Sequence, residues 1–250
     1  LTPAGELYVE AARKVIQIQE DLYHNIRGVN HKGHITIGVT SQFGLRMLTE
    51  IIPAYKKVFP QVTIEITESN VPTLTRMILE EGIDCAVMAL NCADAFAEEQ
   101  VSLLRKEEVL FAVPAAHGYC LRNRTGIMTR EELIHEFKDE NFMLSKKEST
   151  LRELADRIFA SAGFQPSTMC ETNSIIATRA MVAKGIGVTF IARSCVSDRE
   201  NVAYYSLNPR MYRYNALVRR KNLIQNEPER ALFQHIRGYF ERQDEDGPAD

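Results

Sequence analysis

Two apolar rhythms run along this chain. The first has a period of seven: Tyr8, Val15, Leu22 and Val29 recur on one position, and Ala4, Ala11, Ile18 and Asn25 on its partner. That spacing predicts a helix whose narrow apolar seam packs on another helix. Thr2 can cap it, Pro3 suits its first turn, and Glu6 places negative charge near its positive end. Polar residues such as Glu10, Lys14, Glu20 and Asp21 fill the other faces, leaving too little apolar surface for a domain core. The expectation is a dimerisation helix over residues 1–29 that pairs with a second chain, Asn25 setting its register, followed by a hinge over 30–34. The competing reading is an amphipathic helix folded onto its own domain.

From Ile35 the rhythm alternates between strand and helix. Ile35 to Val39 is a β-branched run, Thr40, Ser41 and Gln42 form a polar turn, and apolar residues return at helical spacing from Phe43 to Phe59. Val62 to Thr67 reads as a second strand, Pro72 to Glu81 as a short helix, and Ile83 to Ala89 as a buried parallel strand. Two strand-like runs follow, Val101 to Arg105 and Val109 to Val113. A second α/β unit starts at Pro114. Thr129-x-x-Glu132 predicts a boxed helix start, Phe142 to Leu144 a strand, and Thr150-x-x-Glu153 a helix closed by Gly163. Ser167 to Cys170 reads as a strand, Asn173 as the cap of a helix from Ser174 to Lys184, and Ile186 to Ile191 as a buried strand. Tyr212 to Arg219 and the amphipathic stretch Pro228 to Gln243 have no βα partners of their own, so they are expected to return to the first unit. The reading is an α/β protein with lobe I over 35–113, lobe II over 114–209, a return to lobe I over 210–243, and a frayed tail over 244–250.

Charge and composition narrow the function. A net charge of −3 spread over 250 residues gives no polybasic surface for nucleic acid. No apolar run reaches the roughly 18 residues of a membrane span. The five cysteines form no CxxC pair, and most lie in or beside apolar segments, which fits buried thiols in a reducing cytoplasm. The chain opens on Leu1, not Met, and is expected to be a fragment whose front end is missing.

Specific chemistry is sparse. His31-x-x-His34 falls at the hinge with no third ligand in sequence, so no metal is expected. Gly185-x-Gly187 follows a helix, precedes a strand and lacks a third glycine, which makes it a helix terminator and not a dinucleotide fingerprint. No hydrolase, zinc-protease or phosphate-loop motif occurs, and no cofactor is expected.

Taken in order, several short motifs resemble one family. Leu1-Thr2-Pro3-Ala4-Gly5 is similar to the LTxAG junction of LysR-type transcriptional regulators, where the winged helix-turn-helix passes into a linker helix. Ile35-Thr36-Ile37-Gly38, Ile52-Pro53, Phe59-Pro60-x-Val62, Glu81-Gly82-x-Asp84 and Gly185-Ile186-Gly187-Val188 stand at that family's customary places. Ala115-Ala116-His117-Gly118 departs from it in lacking the proline often found after the histidine.

The resemblance implies two Rossmann-like lobes of the type 2 periplasmic-binding-protein kind, joined by two crossover strands. It implies a small effector, a carboxylate or polar metabolite, in the cleft, and a homodimer or homotetramer whose DNA contacts come from a missing N-terminal domain. Thr40, Ser41, Gln42, Ser145, Lys146 and Asn173 are the effector-binding candidates, because hydroxyls, amides and free N–H groups at helix N-termini suit such a ligand. Each also has a plain reading as a cap or a solvated loop residue. Phe43, Met88 and Phe190 are candidate apolar walls for which core packing is the expected role. The rival readings are a transporter's solute-binding protein and an enzyme on the same architecture.

Overall fold

The computed structural model describes residues 1–29, 33–40, 42–92, 95–221, 223 and 225–245. Helix α1 (Pro3–Val29) is continuous, and Thr2 Oγ1 accepts the Gly5 N–H at 3.1 Å as its first-turn partner. Its predicted seam is open to solvent. Tyr8, Val15, Ile18 and Leu22 are 75%, 64%, 70% and 57% exposed, and Ala11 is exposed as well. The side chains of Asn25 and Val29 lie outside the described residues. The alternative in which this stripe folds onto its own domain is therefore not what the structure adopts.

Lobe I begins with β1 (His34–Val39), α2 (Gln42–Val58), β2 (Thr63–Glu68), α3 (Val71–Leu79) and β3 (Cys85–Leu90). The three strands lie in the order β2-β1-β3, all parallel, as a βαβαβ unit requires. Then comes β4 (Val101–Pro114), a single strand where the sequence pattern suggested two. The polar break at Lys106, Glu107 and Glu108 stays in the ladder because these residues pair with Tyr214, Arg213 and Tyr212 of a later strand, and that arginine neutralises Glu107.

Lobe II contains α4 (Gly118–Arg122), β5 (Ile127–Thr129), α5 (Arg130–Phe137), β6 (Asn141–Leu144), α6 (Thr150–Ala162), β7 (Ser167–Glu171), α7 (Ile175–Ala183) and β8 (Thr189–Ala192). The long strand β9 (Val202–Arg219) runs back to lobe I, where α8 (Glu227–Glu245) closes the chain. Strands β4 and β9 are antiparallel and span both lobes. Residues 101–105 and 215–218 pair in lobe I, while Leu110 to Pro114 pairs with Ser206 to Val202 in lobe II. Between them the register jumps, Val109 facing Met211 and Leu110 facing Ser206, so Leu207 to Arg210 leave the ladder and β5 pairs there instead. The periodicity reading missed α4, β5 and the first half of β9, each too short or too polar to declare a period.

Each lobe has its own core. In lobe I, Met47, Leu48, Ile51 and Tyr55 of α2 pack with Ile236 and Tyr239 of α8 over one sheet face, and Leu74 and Ile78 of α3 cover the other. Lobe II is centred on phenylalanines, with Phe111 at 5.1 Å from both Phe137 and Phe190, and Phe142 at 5.2 Å from Phe159. Val109, Phe111 and Val113 belong to this second core, so lobe II packing starts inside β4 and ahead of the expected boundary at Pro114. Met88 and Phe190 are core residues, as expected.

Candidate functional site

The cleft between the lobes is where the strand ends of both units meet helix N-termini. After β1 the chain turns at Thr40 into α2, held close because Gly44 leaves room for Val39; a Cβ at Gly44 would stand 2.8 Å from Val39 Cβ. Thr40 Oγ1 accepts the Ala89 N–H at 3.2 Å, tying this turn to the end of β3. After β2, Asn70 Oδ1 caps α3 by accepting the Thr73 N–H at 2.9 Å. Asn70 thus stands in the second βα turn, as Thr40 stands in the first.

Lobe II presents two more helix starts. Ser149 Oγ accepts the Arg152 N–H at 3.1 Å and so caps α6, one residue ahead of the expected cap Thr150, which is buried. Ser174, not Asn173, caps α7, its Oγ accepting the Ala177 N–H at 3.3 Å. Asn173 turns instead toward the strand end, where its Oδ1 accepts the Lys146 N–H at 3.0 Å. This swap occurs because Thr172 Oγ1 accepts the Ser174 N–H at 3.1 Å and fixes the approach to α7.

Together these elements enclose a cleft of about 520 Å³, including its open mouth. Thr40, Asn70 and Ala89 line it from lobe I; Ser145, Ser149 and Asn173 line it from lobe II. Of the six candidates, Thr40, Ser145 and Asn173 converge there. Lys146 is exposed and contributes its backbone N–H to Asn173 without lining the cleft. Ser41 and the side chain of Gln42 lie outside the described residues.

Arg213 also lines the cleft, on the crossover strand β9. Its guanidinium bonds Glu107 through Nε and Nη2, both at 2.9 Å, and the same carboxylate accepts the Ser194 N–H at 3.0 Å and the Asn215 amide at 3.2 Å. Burial alone would push the Glu107 carboxyl up. Arg213 and the Ser194 hydrogen bonds outweigh it and hold Glu107 below the ordinary glutamate value. Asn70 and Arg213 were missed by sequence reasoning. Asn70 carried a signal, an Asn followed by Val-Pro at a strand end; Arg213 carried only a charge inside an alternating strand.

The lobes touch directly beside the cleft. Asn91, just past β3, donates its Nδ2 to Glu153 Oε2 at 2.6 Å and to the Thr150 carbonyl at 3.2 Å. Asn70 Nδ2 lies 3.5 Å from Glu148 Oε2. At the hinge, His34 Nε2 sits 2.9 Å from Glu65 Oε2, and His31 lies outside the described residues. Among the described residues no group of three or more His, Cys, Asp and Glu side chains is placed to hold a metal, and no helix is long and apolar enough to cross a membrane.

Two α/β lobes on paired crossover strands, with a cleft lined from both sides, define a clamshell domain for a small ligand. The chain belongs to the LysR substrate binding domain family, whose pattern it matches over residues 29–241. It is 24% identical over 202 residues to a probable RuBisCO transcriptional regulator of Trieres chinensis, an alignment covering 78% of this chain and 64% of that regulator. The fold is that of the regulatory domain of Synechocystis PCC6803 CcmR in complex with 2-PG, with a TM-score of 0.70 at 11% identity over 85% of this chain and 99% of that one. The effector binding domain of QuiR in complex with shikimate gives a TM-score of 0.66 at 20% identity over 85% of this chain and 99% of that one. Family membership sets aside the readings as a transporter's solute-binding protein and as an enzyme.

Proposed function

We propose that this chain is the effector-sensing and oligomerisation part of a cytoplasmic LysR-type transcriptional regulator, taking a small carboxylate or polar metabolite in the inter-lobe cleft. The observation that carries the reading is the composition of the cleft, with hydroxyls and amides from both lobes around three helix N-termini and the buried Arg213. Free N–H groups and helix dipoles favour an anionic or polar ligand there. The solved neighbours named with shikimate and 2-PG bound support a ligand of that size.

Effector binding then acts as a population shift, limited by the ligand's differential affinity for the two lobe arrangements. The solvent-open stripe of α1 supports pairing with a second copy, as a dimer or as the dimers of a tetramer. This chain spans only 64% of the length of the Trieres relative, so control of DNA binding belongs to the longer protein and is part of the proposal.

A thermal-shift screen of organic acids, followed by calorimetry, tests the cleft. A ligand that raises the melting temperature of the parent should fail to bind Ser145→Arg, whose side chain fills the cleft while circular dichroism stays unchanged. Equal affinity for parent and variant removes the cleft as the effector site.

A further inference from the structure

The cleft does not end at Arg213. Ile175 and Cys195 line both it and a neighbouring outer chamber of about 790 Å³, including its mouth. Phe43 and Arg46 of α2 stand on the lobe I side, and Ile176, Arg179 and Val196 on the lobe II side. This chamber differs in character from the inner one. Its walls are mostly apolar, Ile176 being 59% exposed, and Arg46 and Arg179 are its charged lining residues beside Ser194 and Ser197.

Those two arginines stand apart from the ion-paired arginines of this molecule. Arg152, Arg193, Arg213 and Arg220 each face a carboxylate, on Asp156 and Glu171, Glu108, Glu107 and Asp84 respectively. Arg46 and Arg179 line a cavity and have no carboxylate partner among the described residues. Exposed Arg46 has its guanidinium 5.8 Å from the Phe43 ring centroid, and half-buried Arg179 donates Nη1 to the Cys195 carbonyl at 2.9 Å. Both side chains are thus positioned, yet most of their N–H donors remain open. Among the described residues that line the chamber there is no Asp or Glu. Glu107 is occupied by Arg213 and the Ser194 N–H, and burial holds the Cys195 thiol above its ordinary pKa and so in the neutral form.

Like charges contributed by opposite lobes to one chamber repel, and an anion between them reverses the sign. A planar fork that binds a carboxylate in two parallel hydrogen bonds is what guanidinium offers and ammonium does not. We infer that the outer chamber is an anion subsite in which Arg46 and Arg179 grip, from opposite lobes, the carboxylate of an effector whose body is apolar and lies along Phe43, Ile175 and Val196. This rests on the reading of the cleft as the effector site and narrows the ligand class. An anion held by both lobes at once also draws them together, which links occupancy to lobe closure.

Calorimetry on the whole chain tests it with two matched pairs, benzoate with benzamide and hexanoate with hexanamide, and with inorganic phosphate as an anion lacking an apolar body. The expected result is at least tenfold tighter binding of each carboxylate than of its amide, weak or no binding of phosphate, and at least a tenfold loss of carboxylate affinity in Arg46→Gln and in Arg179→Gln. Equal affinity for acid and amide, or unchanged affinity in both variants, overturns the subsite. So does a failure of both carboxylates to bind. Phosphate binding as tightly as the carboxylates overturns the apolar body. Ser145→Arg separates the two readings: carboxylate binding lost there but intact in both arginine variants leaves the inner cleft standing and removes the outer subsite. Binding unaffected by all three variants removes both.

Discussion

Asn91 and Glu153 are joined across the cleft by a 2.6 Å hydrogen bond, the shortest polar link described between the lobes outside the crossover strands. Asn91 lies just past the end of β3 and Glu153 in the first turn of α6, so the contact exists only when the lobes are close. The Asn91 Oδ1 on the same amide is buried and has no hydrogen-bond partner among the described residues. The made bond favours the close arrangement of the lobes.

Asn91→Ala should lower unfolding stability by about 1 kcal/mol, the usual worth of a side-chain hydrogen bond at an exposed site. Glu153→Ala should cost no more than that, and the double variant no more than Asn91→Ala alone, because Asn91 loses its bonds to both Glu153 and the Thr150 carbonyl in either case. Urea unfolding of the four proteins checks this. Additive losses would mean that the pair is not coupled.

Glu107 and Arg213 form the buried ion pair at the floor of the cleft, 3% and 4% exposed. The folded Glu107 pKa lies below its ordinary value of 4.5, so its contribution is complete above that value and is lost as pH falls through the lower folded value. Glu107→Gln strands a buried guanidinium and should cost about 3 kcal/mol at pH 7. The difference from the parent should shrink as pH falls below about 4.5, where the unfolded chain takes up the proton first, and vanish once the folded carboxylate is protonated too. Denaturant titrations at pH 7 and at acid pH read both numbers, and a gap that stays constant would assign the loss to packing.

Much of this molecule is written in local pattern. The β-branched run at Ile35 to Val39, the Thr129 to Glu132 capping box and the αL residue Gly163 each specify their element from neighbours alone. The seven-residue period of α1 does the same for its open stripe. Glu81-Gly82-x-Asp84 turns out to be structural: Asp84 Oδ2 accepts the Thr36 N–H at 2.8 Å and its Oδ1 the Arg220 Nε at 3.2 Å, binding β1 to the end of β9. What local pattern does not encode is tertiary. Asn173 is turned to the Lys146 N–H, 27 residues upstream, while Thr172 fixes Ser174 as the cap of α7, and Arg213 reaches the cleft only because β9 crosses between lobes. Arg46 and Arg179 read singly as solvated helix residues, and only the packing of two lobes brings them to one chamber.

Gly187 is a backbone contact point, which the sequence showed only as half of Gly185-x-Gly187. A Cβ there would lie 2.1 Å from the Asn141 carbonyl oxygen, and Asn141 is held by the Val188 N–H at 2.8 Å. Backbone cannot swing aside as a flexible side chain does. Gly187→Ala should therefore destabilise the chain by about 2 to 3 kcal/mol and loosen β6 from the lead-in to β8. Hydrogen exchange at Met143 and Val188, whose amides make the two rungs of that contact, should accelerate in the variant. Unchanged exchange at both would show that the strands separate without cost.

The last prediction concerns α1, whose exposed apolar stripe has no partner in the chain described here. Val15 and Leu22 lie one heptad apart, 64% and 57% exposed, so each carries apolar area that only a second molecule can remove from water. Introducing a carboxylate at a seam position places a charge in the buried interface of the pair, whereas on a lone helix it merely decorates a solvated face. Val15→Asp and Leu22→Asp should thus shift the mass measured by light scattering toward the monomer and leave the effector domain's melting transition in place. A Glu10→Ala control, which removes only an exposed i,i+4 pair with Lys14, should leave the mass as it is. If the two Asp variants also retain the parent's mass, association runs through a surface of the lobes, and the stripe on α1 has another use.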